Sequence, residues 1–355
     1  MLVRTLGLVK QFVHERNTPG AVMLVGFRGR MYGPYPVGSV GYLPDSKPVV
    51  DDTIYDLASL TKVVATTTVA LILLEGGALS LQHTVGSFFR RAPLDKAEIT
   101  LEQLLTHTAG IPQTEFYREL TSPDEVINHI LHTELAFKPG TQVLYSCLNF
   151  ILLGKILERC ASETLDVFTT RHIFEPLGMY DTFFNPPKGI YDRIAYTEWC
   201  TIEKAFIQGK VHDENSRFLG GVSGNAGLFS TAADLGVFAT MLLQQGVHDK
   251  RQILHPRTVG LLNTNHTPGL NESRSIGWVM KGKGFCSGGD LISNKAFGHT
   301  GFTGTSLWID PKLRAFFILL TNRVHPTRNN DEILRFRPVF HNSAIAELGE
   351  LVLRG

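Results

Sequence analysis

Cysteine is scarce in this chain, four residues in 355. None of Cys147, Cys160, Cys200 and Cys286 sits in a C-x-x-C pair or at zinc-type spacing. That excludes a disulfide framework and a thiolate metal site as organising devices. An excess of one charge is missing too. With 34 lysines and arginines against 33 acids, a formal net charge of +1, there is no basic field for a nucleic-acid backbone. No apolar run is long enough to span a bilayer; the longest, residues 63–74, is broken by three threonines. A secretory leader is not visible, because Arg4, Lys10 and Arg16 interrupt an N-terminal segment whose apolar residues fall at helical spacing. The chain as it stands is therefore expected in the cytoplasm, and outside it only if a leader has been removed. Two common hydrolase signatures are also missing. The 13 histidines include no H-E-x-x-H, and the nearest approach to G-x-S-x-G, residues 221–225, fails at Asn225.

What is present is an ordinary globular composition, in a chain long enough for two domains or one large one. After an N-terminal helix, Ala21 to Phe27 reads as a buried strand, and a looser glycine- and proline-containing segment runs to about Asp52. Leu60 to Glu75 reads as a buried helix ended by Gly76-Gly77. Helical patterns follow at residues 101–108, 149–160 and 231–246. After about residue 274 the segments become short, β-rich and separated by turns, and a last helix is expected from Phe340 to Leu353. Strands at both ends with helices between them predict a mixed α+β fold. An antiparallel sheet flanked by terminal helices would comprise residues 1–77 plus 271–355, with a mainly helical domain, 78–270, inserted.

Three segments carry candidate chemistry. Ser59-Leu60-Thr61-Lys62 opens the long apolar helix, and a spacing of three puts hydroxyl and amine on one helix face. An unaided serine hydroxyl is a weak nucleophile, and an amine with a depressed pKa accepts its proton; burial of Lys62 pushes in that direction. Serine three residues before lysine arises by chance about once in a chain this long. A buried lysine without partner or function is costly, however. Tyr145 follows the turn Lys138-Pro139-Gly140 and precedes a helix, where its hydroxyl can face a cleft as general base and acid. A half-buried aromatic is the plainer alternative. Residues 298–304, GHTGFTG, are small enough for a substrate backbone to pair there as an added strand. The Phe302 amide can complete an oxyanion hole with that of Ser59; a glycine-rich hairpin is the structural alternative.

In this order and spacing, S-x-x-K, then a tyrosine-led triplet about 85 residues on, then a His-Thr-Gly strand, the chain resembles the serine β-lactamase and penicillin-binding-protein superfamily. It looks most like the class C-like branch, which also contains D-alanyl-D-alanine carboxypeptidases, D-aminopeptidases and esterases. Residues 104–112, 137–140 and 225–231 extend the likeness from about residue 8 to residue 325. The resemblance implies Ser59 as nucleophile, Lys62 as its proton partner and Tyr145 as the base that later protonates the leaving group. It implies a β-lactamase/transpeptidase-like fold with the active site in a cleft between domains, and neither a metal nor an organic cofactor. The implied function is hydrolysis of an amide or ester through an acyl-enzyme, the substrate being a small molecule or muropeptide of peptidoglycan type and β-lactams possible acylating ligands. A broad carboxylesterase, or a penicillin-binding sensor with little turnover, is the alternative.

Two positions depart from the family pattern. Cys147 stands where the tyrosine triplet usually ends in a substrate-binding asparagine, and a thiol is a much poorer hydrogen-bonding group. Asn149, two positions on, either reaches in for it or caps the following helix. His299 replaces the usual lysine, and a histidine of ordinary pKa, about 6.5, is mostly neutral at pH 7.5. That weighs against a free substrate carboxylate beside the scissile bond, unless Arg323 or Arg328 restores the charge. Thr300, Gly301 and Phe302 complete the expected substrate wall.

Overall fold

The structure, a computed structural model, describes residues 2–114 and 120–354. β1 (Gly20–Phe27) is apolar along its length because both its faces are covered. Ala21, Met23 and Val25 pack against the N-terminal helix α1 (Val3–His14) and the C-terminal helix (Glu332–Arg354), with Phe12 stacked on Phe336 at 4.0 Å. Val22 and Leu24 face the opposite way, into a larger core. This is the two-residue alternation of a strand.

β2 (Arg30–Gly38) pairs with one edge of β1. It falls inside the segment expected to be irregular. Pro34 and Pro36 suppress a strand reading, yet prolines are tolerated on an outer edge, and β2 is the last strand of its sheet. Along the chain follow β3 (Tyr55–Asp56), β4 (Phe183–Phe184), β5 (Leu228–Ser230), β6 (Val279–Met280), β7 (Phe297–Thr300), β8 (Ser306–Asp310) and β9 (Ala315–Thr321). The main sheet has the order β6-β7-β8-β9-β1-β2 with every neighbour antiparallel. Its centre is the pairing of the two ends of the chain, from Ala21 opposite Thr321 to Phe27 opposite Ala315. β3, β5 and β4 form a small second sheet. The fold is mixed α+β, with the sheet flanked by terminal helices and helices dominating the middle of the chain.

Two element boundaries differ from expectation. The last helix starts at Glu332 rather than Phe340, because Pro338 lies inside it and in sequence reads as a stop. The apolar stretch from Leu60 is helical to Glu75, but it opens with a π turn over Lys62–Thr66 before the α-helix Thr67–Glu75. Wider turns of this kind cluster at functional sites. Among the described residues no helix is long and apolar enough to cross a membrane.

Candidate active site

Ser59 sits on the turn between β3 and the π turn. The preceding residue, Ala58, has φ of +46°, a left-handed conformation that alanine adopts only under constraint. The constraint is visible. The buried Asp56 carboxylate accepts from the Ala58 amide at 2.8 Å and from the His212 amide at 2.6 Å. Thr303 Oγ1 donates to the Asp56 carbonyl at 2.7 Å and Thr305 Oγ1 to the Leu57 carbonyl at 3.1 Å. The end of β7 is thereby tied to the turn. Contact is close enough that a Cβ at Gly301 would lie 2.5 Å from the Leu57 carbonyl oxygen, so glycine is required there by packing.

Lys62 is fully buried. Its Nζ donates to Ser59 Oγ at 3.0 Å, to the Asn225 carbonyl at 2.9 Å and to Cys147 Sγ at 3.4 Å. Tyr145 donates its hydroxyl to the same Ser59 Oγ at 2.7 Å, and the Lys62 ammonium lies 5.0 Å from the centre of its ring. Burial works to lower the Lys62 ammonium, but Cys147 and Tyr145 beside it work the other way, and the balance lies above the ordinary lysine value. Desolvation raises the Tyr145 phenol, against the pull of Lys62. The resting pair at neutral pH is therefore an ammonium and a phenol, both pointing at one serine oxygen. Strongly coupled groups of this kind titrate as a pair.

His299 is buried, with Nδ1 beside the Thr300 carbonyl at 2.9 Å and Nε2 unpaired. Burial first, then the Arg274 and Lys62 charges, hold its pKa well below 6.5, so it is neutral. His107 is held low for the same reasons. Its ring lies 4.6 Å from that of Tyr145 and braces it.

Ser59, Tyr145, His299, Thr300, Gly301 and Phe302 share the wall of one cavity of about 770 Å³. Among the described residues the backbone amides of Ser59 and Phe302 have no acceptor, which leaves both free for an oxyanion. On the side away from β8, β7 pairs with β6 only at Phe297 and Gly298. From His299 onward that edge is open to an extended ligand. Cys147 contacts Lys62 and donates its amide to Gln113 Oε1 at 2.7 Å.

Asn149 is a correction. It is fully buried and its Nδ2 pairs with His107 Nδ1 at 3.3 Å, while Ser146 caps the helix Cys147–Ala161. Two helical positions are about 200° of rotation, so Asn149 points away from where Cys147 points. Neither Arg323 nor Arg328 supplies a free cation. Arg323 is spent on the Phe302, Arg328 and Asn330 carbonyls and on Asp331, and Arg328 on Glu198 and Glu214. Sequence reading missed His107, the Asn225 carbonyl and Arg274. The first two lie in segments that carried the family likeness, but their contacts leave no mark in residue type.

A sequence model of the beta-lactamase family matches residues 7–338. An inferred D-alanyl-D-alanine carboxypeptidase of Escherichia coli strain K12 is 32% identical over 304 residues, which cover 77% of this chain and 70% of that protein. The N-acetylmuramyl-L-alanine amidase of Bacillus subtilis strain 168 is 30% identical over 310 residues, 77% of this chain and 68% of the amidase. In three dimensions the chain is similar to a penicillin-binding-protein homologue from Caulobacter crescentus, with a TM-score of 0.78 at 21% identity over 97% of each chain.

Proposed function

The chain belongs to the beta-lactamase family and is a serine hydrolase, and from that premise we propose that it forms an acyl-enzyme on Ser59 from an amide or ester in a peptidoglycan-type fragment. The observation that carries the proposal is the convergence of Lys62 Nζ and Tyr145 OH, at 3.0 and 2.7 Å, on the single oxygen Ser59 Oγ. The pair loses one proton to become a base, with Tyr145 as phenolate and Lys62 as its counter-ion. Ser59 Oγ then attacks the carbonyl carbon and its proton passes to Tyr145. The oxyanion rests on the Ser59 and Phe302 amides. Tyr145 returns the proton to the leaving amine or alcohol as the carbonyl re-forms, and water enters by the same route reversed. The substrate class is supported by the cell-wall names of the two relatives. An apolar rim of Phe285, Phe302 and Leu334, all exposed at the cavity mouth, favours a second reading, a broad carboxylesterase.

Intact-protein mass spectrometry after incubation with a fluorophosphonate and, separately, with penicillins tests this, followed by peptide mapping. The expected result is one adduct, on Ser59, with both reagents. An adduct with the fluorophosphonate alone favours the esterase; no adduct with either makes the chain a binding protein and ends the acyl-enzyme reading.

The pH profile follows from the same groups. The active form is the one that has lost a proton, and both members of the pair sit above their ordinary values. Acylation by a neutral ester is therefore expected to climb from about pH 6 to pH 9. No inflection is expected near 6.5, since His107 and His299 are already neutral there. A bell-shaped profile with its acid limb near 6.5 would make a histidine the base instead.

A further inference from the structure

Arg337, in the second turn of the C-terminal helix, is 4% exposed, and among the described residues it pairs with no carboxylate. Burial and the nearby Arg323 charge pull its pKa down to about 9, so it remains a cation at neutral pH. Burying a guanidinium without a counter-ion is costly. Between a helix and a sheet, an apolar side chain of similar length would fill the space without that cost.

What the cation meets is main chain. Its Nη2 donates to the Gly301 carbonyl at 2.8 Å and to the Thr305 carbonyl at 2.9 Å. The same two oxygens close the loop between β7 and β8. That of Thr305 also accepts from the Gly301 amide at 2.8 Å, and that of Gly301 from the Gly304 amide at 3.1 Å. The loop so closed carries Phe302.

The Gly301 carbonyl and the Phe302 amide are the two ends of one peptide group. Resonance couples them, so a cation on the oxygen makes the N–H at the other end a stronger donor. A peptide plane pinned at its oxygen also holds the direction of its N–H. Arg323 acts elsewhere. Its Nε donates to the Phe302 carbonyl at 2.8 Å, which belongs to the next peptide, and its charge is shared with Asp331 at 3.0 Å.

We propose that Arg337 is a positioning residue for the oxyanion: through the Gly301 carbonyl it aims and polarises the Phe302 amide, without itself touching the substrate. This rests on the acyl-enzyme reading of Ser59.

The test compares 4-nitrophenyl acetate with its thiono analogue, in which sulfur replaces the carbonyl oxygen. Sulfur is a weak acceptor, so the thiono ester draws little on the amides that hold an oxyanion. Arg337→Met and Arg337→Gln remove the charge, and Arg337→Lys keeps it. In the two neutral variants kcat/KM for the oxo ester is expected to fall about 10–100-fold, with the thiono ester changed by less than about threefold; deleting a whole oxyanion donor costs about 10²–10³-fold. Arg337→Lys should recover part of the oxo rate. Equal losses on both esters would make Arg337 a structural residue only, and an unchanged oxo rate would remove it from the site. Either result overturns the proposal, as does a lysine variant no better than the glutamine one. Melting curves identify the variants that fold, and because both esters are read on one protein, a single folded variant suffices. Failure of the acyl-enzyme reading shows separately, as absence of a Ser59 adduct with the fluorophosphonate in the parent protein.

Discussion

Ser59→Ala protein is expected to fold as the parent does and to turn over nothing above background, a loss of at least about 10⁴-fold in kcat. The side chain removed is a half-buried hydroxyl at the cavity wall, so its loss opens no core cavity and the thermal midpoint should stay within about 2 °C. What disappears is the acceptor on which Lys62 and Tyr145 converge, and among the described residues no other serine or threonine hydroxyl accepts from Lys62 Nζ. Steady-state hydrolysis of a chromogenic ester, with a melting curve on the same sample, measures both quantities. Residual activity above a tenth of the parent would mean another nucleophile.

Lys62→Met is expected to be the second most damaging change, lowering the acylation rate by about 10²–10⁴-fold, the usual contribution of a group that moves or holds a proton in the transition state. Methionine keeps most of the volume of a fully buried stem and removes only the ammonium. The Asn225 carbonyl then loses its donor, at a cost of about 1–3 kcal/mol, so the variant should melt a few degrees lower but remain folded. Without the ammonium the Tyr145 phenolate loses its counter-ion, and the alkaline climb of the rate should shift further upward in pH. Stopped-flow acylation across pH separates these effects. A burst of parental rate would take Lys62 out of the mechanism.

Much of the molecule is legible in the sequence, for reasons that differ by element. β1 and β9 were readable because both faces of each are buried, which leaves unbroken apolar runs. β2 was not, since an edge strand with Pro34 and Pro36 lacks the pattern that burial writes into sequence. The early start of the last helix was hidden by Pro338. Ser59, Lys62 and Tyr145 were found by motif order, and the structure brings them within hydrogen-bond distance. The placing of Asn149 failed because helical rotation, not chain distance, decides what a side chain meets. Arg274 belongs to no motif. That its Nε and Nη1 are buried without acceptors is a property of packing that one sequence does not display.

The pairing of β1 with β9 also governs when this protein becomes an enzyme. The two strands are separated by about 300 residues of chain. At a synthesis rate of roughly 5–20 residues per second, β1 waits on the ribosome for roughly 15–60 s before its main partner exists. During that interval one edge of β1, and the apolar side chains on both its faces, lack their final cover. The Ser59 turn likewise lacks the Thr303 and Thr305 ties that hold it to the end of β7. The nascent chain therefore carries Ser59 early and the β7 wall of the cavity late. Until that last stretch is made, the cavity lacks one of its walls by connectivity alone.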